Sequence, residues 1–411
     1  MTRIAQLQSL SESLRHATAT RSPVRIHGAA TWLHAGRPVE PDATPFDMRA
    51  LAGVVEYVPG DLVITVHGGT SLAEIAEVTA AEGQWLALDP YVSAHGLTQA
   101  TIGATVATAS SGPLALGYGR VRDLALGVTF VSGDGTVVRG GGRVVKNVAG
   151  FDLVRLATGA WGTLGAITEV SLRLHARPAV DETIAVSVDL PSSPDARTAA
   201  MTQLSERLNG APLLAVTNSL GALVLLTHHA VSAVNETHAL PAALQQSPCL
   251  LLARVLGNRT RVDAMRAALG ALGDTQIVDS AIWRAVRTTD TGNVSLRLSD
   301  APLRTGTTWQ HADVWLDAQA IRDARVIVEP LQGAIRLSGT LSADSSTNTG
   351  SLTLPPRTLI ERLPTSAWST VPVPARDHIA EHLRATFDPA GILNPGILDI
   401  GIPGMTHPVP A

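Results

Sequence analysis

The spacing of apolar and polar positions predicts a chain of short strands and helices. Residues 24–26 form a short alternating run, and residues 62–66 are rich in β-branched side chains, as expected of a strand. Ser71 precedes an apolar run and Glu74 follows three residues later, so a capping box is expected to begin a helix that stops at Gly83. The remainder of this first segment indicates strands and loops.

Strand patterns continue up to a first domain boundary. Residues 123–132 predict a strand, and Gly133-Asp134-Gly135 predicts a hairpin turn with a returning strand behind it. After a loop, a short helix and a glycine-rich turn, residues 166–174 alternate strongly. Arg177-Pro178 interrupts the pattern, so we expect the first domain to span residues 1–178.

The rest of the chain has a different pattern. Strand-like runs alternate with helical runs near positions 197 and 261, which favours an α+β layer with helices on one face of a sheet. We expect this second domain, a cap over the site, to span residues 179–345. The polar stretch 341–353 indicates a linker, and a helix is expected at about 374–386. Residues 346–411 are expected to close onto the first domain.

Composition narrows the classes of function. The 411 residues have a net charge of −4, an estimated pI of 6.3 and only 3% aromatic residues, which argues against a nucleic-acid or anionic-membrane surface. No signal peptide is predicted, and no apolar run reaches the ~18 residues of a membrane span. The only cysteine, Cys249, is expected to be buried and inert. We therefore expect a soluble, cytoplasmic protein, with a peripheral place on a membrane complex open through its partners.

Two stretches of small residues are candidates for cofactor contact. The first, Gly28-Ala29-Ala30-Thr31, follows a strand and could direct several backbone N–H groups at one anion. The second, residues 101–112, could let its backbone approach a bulky cofactor, with hydroxyls at Thr101, Ser110 and Ser111. A plain strand-to-loop turn is the alternative for the first stretch, and close helix packing is the alternative for the second.

The histidine patterns do not predict a metal. The sequence His378-Ile379-Ala380-Glu381-His382 matches an inverted zinc-peptidase motif, but no downstream glutamate follows to complete it. His228 and His229 are neighbours in a predicted strand, where adjacent side chains point to opposite faces. We expect no functional metal.

A more specific block occupies residues 144–174. The sequence VVKNVAGFDLVRL, followed by GAWGTLGAITEVSLRL, resembles the FAD-binding subunit of bacterial glycolate oxidase. Fainter similarities are RIHGAAT to a pyrophosphate loop, TIGATVATASSG to a second FAD loop, and GRVRDLALGVTFVSGDG to the hairpin behind it. FDPAGILNPG resembles the C-terminal closing motif of flavoproteins of the vanillyl-alcohol-oxidase type.

The resemblance implies an α+β fold: a PCMH-type FAD-binding domain of two subdomains, covered by an α+β, ferredoxin-like cap. It implies contacts to FAD from three groups of residues. These are Gly28, Ala29, Ala30 and Thr31 at the pyrophosphate; Thr101, Ile102, Gly103, Ser110, Ser111 and Gly112 along the ribityl path; and Gly165, Ile167 and Asn394 at the adenosine and flavin ends.

Two departures from the family pattern matter. Ala29 stands where relatives often have a second glycine, and alanine fits such a turn only if its φ stays negative. Ala30 stands where some relatives have the histidine that links FAD covalently, so non-covalent FAD is expected.

The implied activity is oxidation of a 2-hydroxy acid such as glycolate, with electrons passed to partners. In this family, the complex consists of two flavoprotein subunits and an iron–sulfur subunit, so the resemblance implies a second flavoprotein subunit and an iron–sulfur subunit as partners. A flavin-holding subunit without substrate chemistry and a stand-alone dehydrogenase of another hydroxy acid remain alternatives. No catalytic base is evident; Lys146 is a candidate for the substrate carboxylate, with a salt bridge to Asp152 or a phosphate contact as alternatives.

Overall fold

The computed structural model describes residues 3–92, 96–143, 151–191, 193–210, 219–342, 354–371 and 377–398. Its first unit contains nine short strands and seven helices within these residues. The strands are β1 (Val24–His27), β2 (Thr44–Asp47), β3 (Val54–Val58), β4 (Val63–His67), β5 (Gln84–Trp85), β6 (Ala125–Val131), β7 (Val137–Gly141), β8 (Ala166–Arg173) and β9 (His175–Ala176). The helices are α1 (Arg3–Thr20), α2 (Leu72–Ala80), α3 (Gly96–Gln99), α4 (Ile102–Ala107), α5 (Ala115–Tyr118), α6 (Val121–Leu124) and α7 (Leu153–Ala157).

An antiparallel sheet of order β3-β4-β8-β6-β7 forms the centre of this unit, while β1 and β2 make a separate parallel pair. The expected helix cap is confirmed, because the Ser71 hydroxyl accepts a hydrogen bond from the Glu74 N–H at 3.0 Å. The helix α2 ends at Ala80, and Gly83 follows with a φ of +62°, which favours glycine. The hairpin expected at residues 133–135 joins β6 to β7.

The N-terminal segment departs from the expectation of strands and loops. Residues 3–20 form the longest helix of the described chain, α1. Leu10, Leu14 and Ala17 lie on one side of it and pack in a core cluster with β1 and β6. They are spaced four and three residues apart, which places them on one face of a helix. The sequence analysis did not predict the helix because many polar residues surround these three positions.

The second unit is built on one large sheet. Its strands are β10 (Val180–Val188), β11 (Leu220–Thr227), β12 (Cys249–Gly257), β13 (Thr275–Val278), β14 (Val294–Ser299), β15 (Arg322–Glu329), β16 (Ala334–Thr340) and β17 (Thr358–Arg362). They pair antiparallel throughout, in the order β13-β10-β12-β11-β15-β16-β14-β17, and we call them the cap sheet. The accompanying helices are α8 (Pro194–Leu208), α9 (His228–Thr237), α10 (Ala242–Gln245), α11 (Arg259–Gly270), α12 (Ile282–Arg287) and α13 (Thr305–Ala318).

Helices cover both faces of the cap sheet, so the expectation of one covered face was wrong. Helices α8, α11 and α13 pack on one face, and α9 and α12 pack on the other. The physical reason lies in β11 and β12, whose continuous apolar runs bury both faces. His228 and His229 begin α9 rather than lying in a strand, with ring centroids 5.8 Å apart.

The chain passes from the first unit to the cap sheet between β9 and β10, and its C-terminal part contributes to both units. The last strand of the first unit ends at Ala176 and the cap sheet begins at Val180. The strand β17 extends the cap sheet, although it lies within the range 346–411. Helix α14 (His378–Phe387) returns to the first unit, where the Phe387 ring meets Phe130 at 5.6 Å. The range 346–411 therefore serves both units.

Asp89 lies where the first unit meets the cap sheet. Its side chain is buried; one carboxylate oxygen accepts from the Leu114 N–H at 3.0 Å, and the other has no partner among the described residues. Burial raises the pKa of Asp89 to about 7, against the opposing attraction of Arg287 and Arg254 in the cap. The folded state thus holds a proton on Asp89 that the unfolded chain releases near pH 4.

The stability contribution of Asp89 is expected to fall as pH rises. A carboxyl group with a higher pKa in the folded state than in the unfolded chain contributes its full stabilisation at a pH below the unfolded value. The free energy of unfolding then falls between about pH 4 and 7, by up to about 1.4 kcal/mol per pH unit, because only the folded state still holds the proton. Urea unfolding of the wild type and of Asp89→Asn at pH 5 to 8 measures the difference. Parallel stability profiles for the two proteins would show that Asp89 does not titrate in this range.

Candidate functional site

A deep cleft opens where the loop after β1 faces α4 and the turn before β8. It encloses about 830 Å³, part of it open to solvent. Most of its wall comes from residues 25–35, 101–108 and 161–167, and Val39, Met48, Gly68, Asn394 and Ile397 complete it. Small side chains dominate the wall, so the backbone itself forms much of the surface.

The loop after β1 leaves no room for a side chain at its first position. A Cβ atom on Gly28 would overlap the Thr101 Oγ1 atom. Ala29 keeps a negative φ, as the sequence required, but Ala30 has a φ of +59°. This left-handed conformation costs alanine about 1–2 kcal/mol, so the loop holds strain beside the cleft.

The same loop offers hydrogen-bond donors to the cleft. The N–H groups of Ala29, Ala30 and Thr31 have no acceptor within the part of the chain that the structure describes. Successive free N–H groups in a turn form an anion-binding concavity. The loop therefore suits the phosphates of a nucleotide cofactor.

Thr101 supplies an unsatisfied hydroxyl to the same region. It precedes α4 without capping it, its side chain is buried, and Oγ1 has no hydrogen-bond partner among the described residues. A buried polar group without a partner costs about 1–3 kcal/mol. A ligand oxygen or nitrogen in the cleft would remove that cost.

The second small-residue stretch also brings protein backbones together. The Gly103 N–H donates to the Gly68 carbonyl at 2.8 Å, and a Cβ on Gly103 would lie 2.7 Å from that oxygen. A Cβ on Gly68 would overlap the Ile167 carbonyl. Gly103 lines the cleft, but a Cβ atom on it would point toward Gly68 at the end of β4. This is the close packing that was the alternative interpretation of the stretch.

Asn394 ties the C-terminal segment to the cleft. Its Oδ1 accepts from the Ile26 N–H at 2.7 Å, and its Nδ2 donates to the Trp161 carbonyl at 2.7 Å. Its φ of +45° is one that asparagine tolerates well. Asn394 therefore holds β1 against the turn at Gly162, and its amide is already engaged with protein.

The structure brings nine of the expected cofactor contacts to this one cleft. They are Gly28, Ala29, Ala30, Thr31, Thr101, Gly103, Gly165, Ile167 and Asn394.

Four others lie elsewhere. Ile102 is fully buried in the core behind α4, because consecutive helical residues face different directions. Ser110 and Ser111 line a separate cavity, and a Cβ on Gly112 would overlap the Asp89 carbonyl. Lys146 lies outside the described residues.

Comparison with known families decides the nature of the first unit. Residues 2–141 match the family model described as FAD binding domain. This chain carries an FAD-binding domain. The match covers most of the first unit, including the loop at Gly28 and the Thr101 turn, so FAD is the cofactor of this domain.

Two curated relatives agree with the resemblance seen in the motifs. The chain is 39% identical to glycolate oxidase subunit GlcE of Escherichia coli (strain K12) over 171 residues, 42% of this chain and 47% of that protein. It is 30% identical to the mitochondrial D-lactate dehydrogenase [cytochrome] of Arabidopsis thaliana over 194 residues, 47% of this chain and 33% of that protein. The chain thus spans less than half the length of either relative. The resemblance to the glycolate oxidase flavoproteins is confirmed.

Solved structures confirm the fold. The structure of p-cresol methylhydroxylase with substrate bound matches with a TM-score of 0.66 at 14% identity, over 96% of this chain and 87% of that chain. The α+β fold class, an FAD-binding domain with an α+β cap, is confirmed for the whole arrangement.

Sequence reasoning missed several residues on the cleft of the FAD-binding domain. Arg25 and His27 both line it; Arg25 donates to the Leu33 carbonyl, and His27 Nδ1 donates to the Gly28 carbonyl at 2.8 Å. Trp32 and Trp161 stack with centroids 6.4 Å apart. Polar side chains in a strand that runs into a small-residue loop were the available signal for Arg25 and His27.

An ionic cluster on the cap sheet faces the FAD-binding domain. Arg336 donates through both terminal nitrogens to Glu361, and Arg362 donates to Asp290. Burial would raise the pKa of Glu361, but Arg336 holds it below its usual value. Burial raises the pKa of Asp290 in spite of Arg336 and Arg362. Asp290, Arg336 and Glu361 are buried in this cluster, and Arg362 is partly exposed at its edge.

The described residues also bear on the metal and membrane expectations. Within them, no group of three His, Cys, Asp or Glu side chains is close enough to hold a metal ion. His378 Nδ1 lies 3.7 Å from Glu381 on α14. Of the helices described, none has the length and apolar character needed to cross a bilayer.

Proposed function

We propose that this protein binds FAD non-covalently in the cleft and takes part in oxidising a small 2-hydroxy acid such as glycolate. One observation carries the proposal: the cleft of an FAD-binding domain holds an unsatisfied buried hydroxyl, Thr101 Oγ1, beside a row of free N–H groups. The likeness to glycolate oxidase subunit GlcE supports the substrate class.

Residues of the cleft fit the parts of FAD by their chemistry. The free N–H groups at Ala29, Ala30 and Thr31 would bind the diphosphate, and the Arg25 guanidinium adds positive charge beside them. Thr101 would hydrogen-bond the cofactor, while Gly165 and Ile167 would pass along its adenosine half. When bound, FAD supplies the two-electron chemistry, and the protein supplies position and electrostatics.

The loop chemistry supports non-covalent binding. Ala30 offers only a methyl group at the position of the linking histidine. The nearest imidazole in the loop sequence, His27, points its Nδ1 at the Gly28 carbonyl. Neither residue combines the right position with a free nucleophilic nitrogen.

Electrons would leave through partner subunits in the cytoplasm. Cys249 is the only thiol of the chain, and burial raises its pKa to about 11. A cubane or rhombic iron–sulfur cluster takes about four ligands, usually thiolates. We therefore propose a second flavoprotein subunit and an iron–sulfur subunit as partners, with the complex at most peripheral to a membrane.

The first test is where the flavin is after acid precipitation. We expect a yellow protein whose FAD passes entirely into the supernatant when the chain is precipitated with acid. Colour that stays with the pellet would contradict non-covalent binding. A colourless protein that takes up no added FAD would contradict assignment of the cleft.

The second test is flavin reduction by glycolate under anaerobic conditions. We expect the absorbance near 450 nm to fall when glycolate is added to the loaded protein or to the assembled complex. No bleaching in either preparation would favour a flavin-holding subunit without substrate chemistry. Bleaching of the isolated chain by a different hydroxy acid alone would favour a stand-alone dehydrogenase.

A further inference from the structure

A wide cavity lies between the FAD-binding domain and the cap sheet, and we call it the interdomain cavity. It encloses about 800 Å³, part of it open to solvent. A two- or three-carbon acid takes only a few times the ~30 Å³ of one water molecule, so the cavity has room for it. Residues 29–32 and Ala35 line both this cavity and the FAD cleft, so the two spaces adjoin.

The cap side of the interdomain cavity carries charges that already have partners. Arg362 donates to Asp290 at 2.5 Å, and Glu361 accepts from Arg336 at 3.0 Å. Ser295 donates to Asp290 at 2.9 Å. Either carboxylate would have to give up its ion pair in order to take a proton from a ligand, so these groups form the wall of the cavity.

His34 lines the same cavity from the FAD-binding domain. Its imidazole makes no hydrogen bond or ion pair within the described part of the chain. The imidazole on the FAD cleft, that of His27, has its Nδ1 engaged with the Gly28 carbonyl at 2.8 Å. Among the carboxyl and imidazole groups that line the two spaces, His34 is therefore the one without a hydrogen bond in the described structure.

The backbone on both sides of His34 is held in place. Arg25 donates to the Leu33 carbonyl. The Gly36 N–H donates to the Glu361 carbonyl at 2.8 Å, which ties this turn to β17 of the cap sheet. A fixed backbone that presents an unpaired imidazole to a cavity suits a group that must meet a ligand in one orientation.

We propose that the interdomain cavity binds the 2-hydroxy acid and that His34 accepts its hydroxyl proton. During oxidation the O–H and C2–H bonds break and a C=O bond forms. The proton passes to His34, and the C2 hydrogen passes with its electron pair to FAD, which leaves a 2-oxo acid. The Gln99 carboxamide, which lines the cavity without a hydrogen bond among the described residues, can donate to the substrate carboxylate. This inference rests on the proposed function.

The first measurement is anaerobic reduction of the flavin by glycolate, in the FAD-loaded protein or the assembled complex. His34→Ala is expected to slow reduction about 100- to 10,000-fold while the FAD content stays the same, because the proton acceptor is lost. Imidazole added to the buffer should restore part of the rate, which a purely structural role of His34 would not allow. His16→Ala, at an exposed histidine of α1, is the matched control and should react at the wild-type rate.

The pH dependence of the rate is the second readout. The wild-type rate should fall at low pH, because a protonated imidazole cannot accept a proton, and this fall should be absent from the residual rate of His34→Ala. The other titratable and charged groups around the two spaces are Arg25 and His27 of β1 and Asp290, Glu361 and Arg362 of the cap. An unchanged pH dependence in His34→Ala would assign it to one of these groups and overturn the inference.

His34→Gln is the second variant, and it decides the matter if His34→Ala does not fold. Glutamine fills a similar space but cannot accept the proton, so this variant should also be slow, and added imidazole should not restore its rate. A wild-type rate of flavin reduction in either folded variant would show that His34 is not the proton acceptor.

The third readout is binding, measured with oxalate, a two-carbon acid that cannot be oxidised as a hydroxy acid. In spectra of the FAD-loaded protein with labelled histidine, the His34 signal is assigned by its absence from the variants. We expect nuclear magnetic resonance to show this signal shifting when oxalate is added, and an unmoved signal overturns the inference. A shifted signal in a protein whose flavin glycolate does not reduce would overturn the proposed function instead, while the acid-binding cavity would stand.

Discussion

Replacing Arg336 with methionine is expected to lower the free energy of unfolding by about 3–5 kcal/mol, since removing one partner of a buried ion pair leaves the other charge unpaired. Glu361 would remain buried without the cation that donates two hydrogen bonds to it, while Asp290 would keep its ion pair with Arg362. Arg297 Nε lies 4.0 Å from Glu361 Oε1 and makes no hydrogen bond to it, so Arg297 would compensate for the lost Arg336 only in part. Urea denaturation at pH 7 measures the loss.

The double variant Arg336→Met with Glu361→Gln is the informative control. Removing both charges should recover much of the stability, because replacing a whole buried ion pair is often close to neutral. The exposed pair of Arg49 and Asp47 gives the contrast, and Arg49→Met should leave the free energy of unfolding nearly unchanged, because solvent screens such surface pairs. If the double variant is no more stable than Arg336→Met alone, the unpaired carboxylate is not the cause.

Gly28→Val is expected to abolish FAD binding while the cap sheet stays folded. Its Cβ atom would overlap the Thr101 hydroxyl, so either the loop or the start of α4 must move. Either movement displaces the N–H groups and the hydroxyl that face the cleft. Donors displaced from their positions no longer hydrogen-bond the cofactor, so the affinity for FAD falls. The measurement is flavin absorbance per mole of folded protein, with circular dichroism to establish folding.

Gly60→Val is the matched control for this variant. Gly60 has open space where a Cβ would be added and is not among the residues that line the cleft. It should keep full flavin content. If Gly28→Val also keeps full occupancy, the loop does not lie against the cofactor, and the contacts assigned to Gly28, Ala29 and Ala30 would have to be withdrawn.

Local patterns predicted the elements that depend on few neighbours. The Ser71 cap and the strands with clear alternation could be predicted because the causes lie within a few residues. Helix α1 was missed because its apolar stripe is narrow among polar residues. The two-sided burial of β12 was missed because a short apolar run does not say what covers each face.

The candidate site was predictable only in part for a related reason. Small residues in sequence identified the loop at Gly28 and the turn at Thr101, yet within one stretch the fold directs Ile102 into the core and Ser111 to another cavity. The side chains of a twelve-residue motif point in several directions, and only the packing of the folded chain decides which of them line the cleft. The cavity that Ser111 lines also includes Arg297 and Arg336 of the cap sheet, so residues from distant parts of the chain form it and no local sequence pattern could predict it.

The attachment of Asn394 to β1 has a consequence for the timing of cofactor loading during synthesis. The strand β1 is bound on one side by β2, and on the other by the segment at residues 392–394, through the Val24 N–H and the Asn394 N–H and side chain. The ribosome therefore makes the loop at Gly28 long before it makes the segment at residues 392–394 that supports β1. A nascent chain halted before residue 394 should hold the loop without the finished cleft. FAD would then enter after translation has passed that residue, and flavin content would report chains extended beyond it.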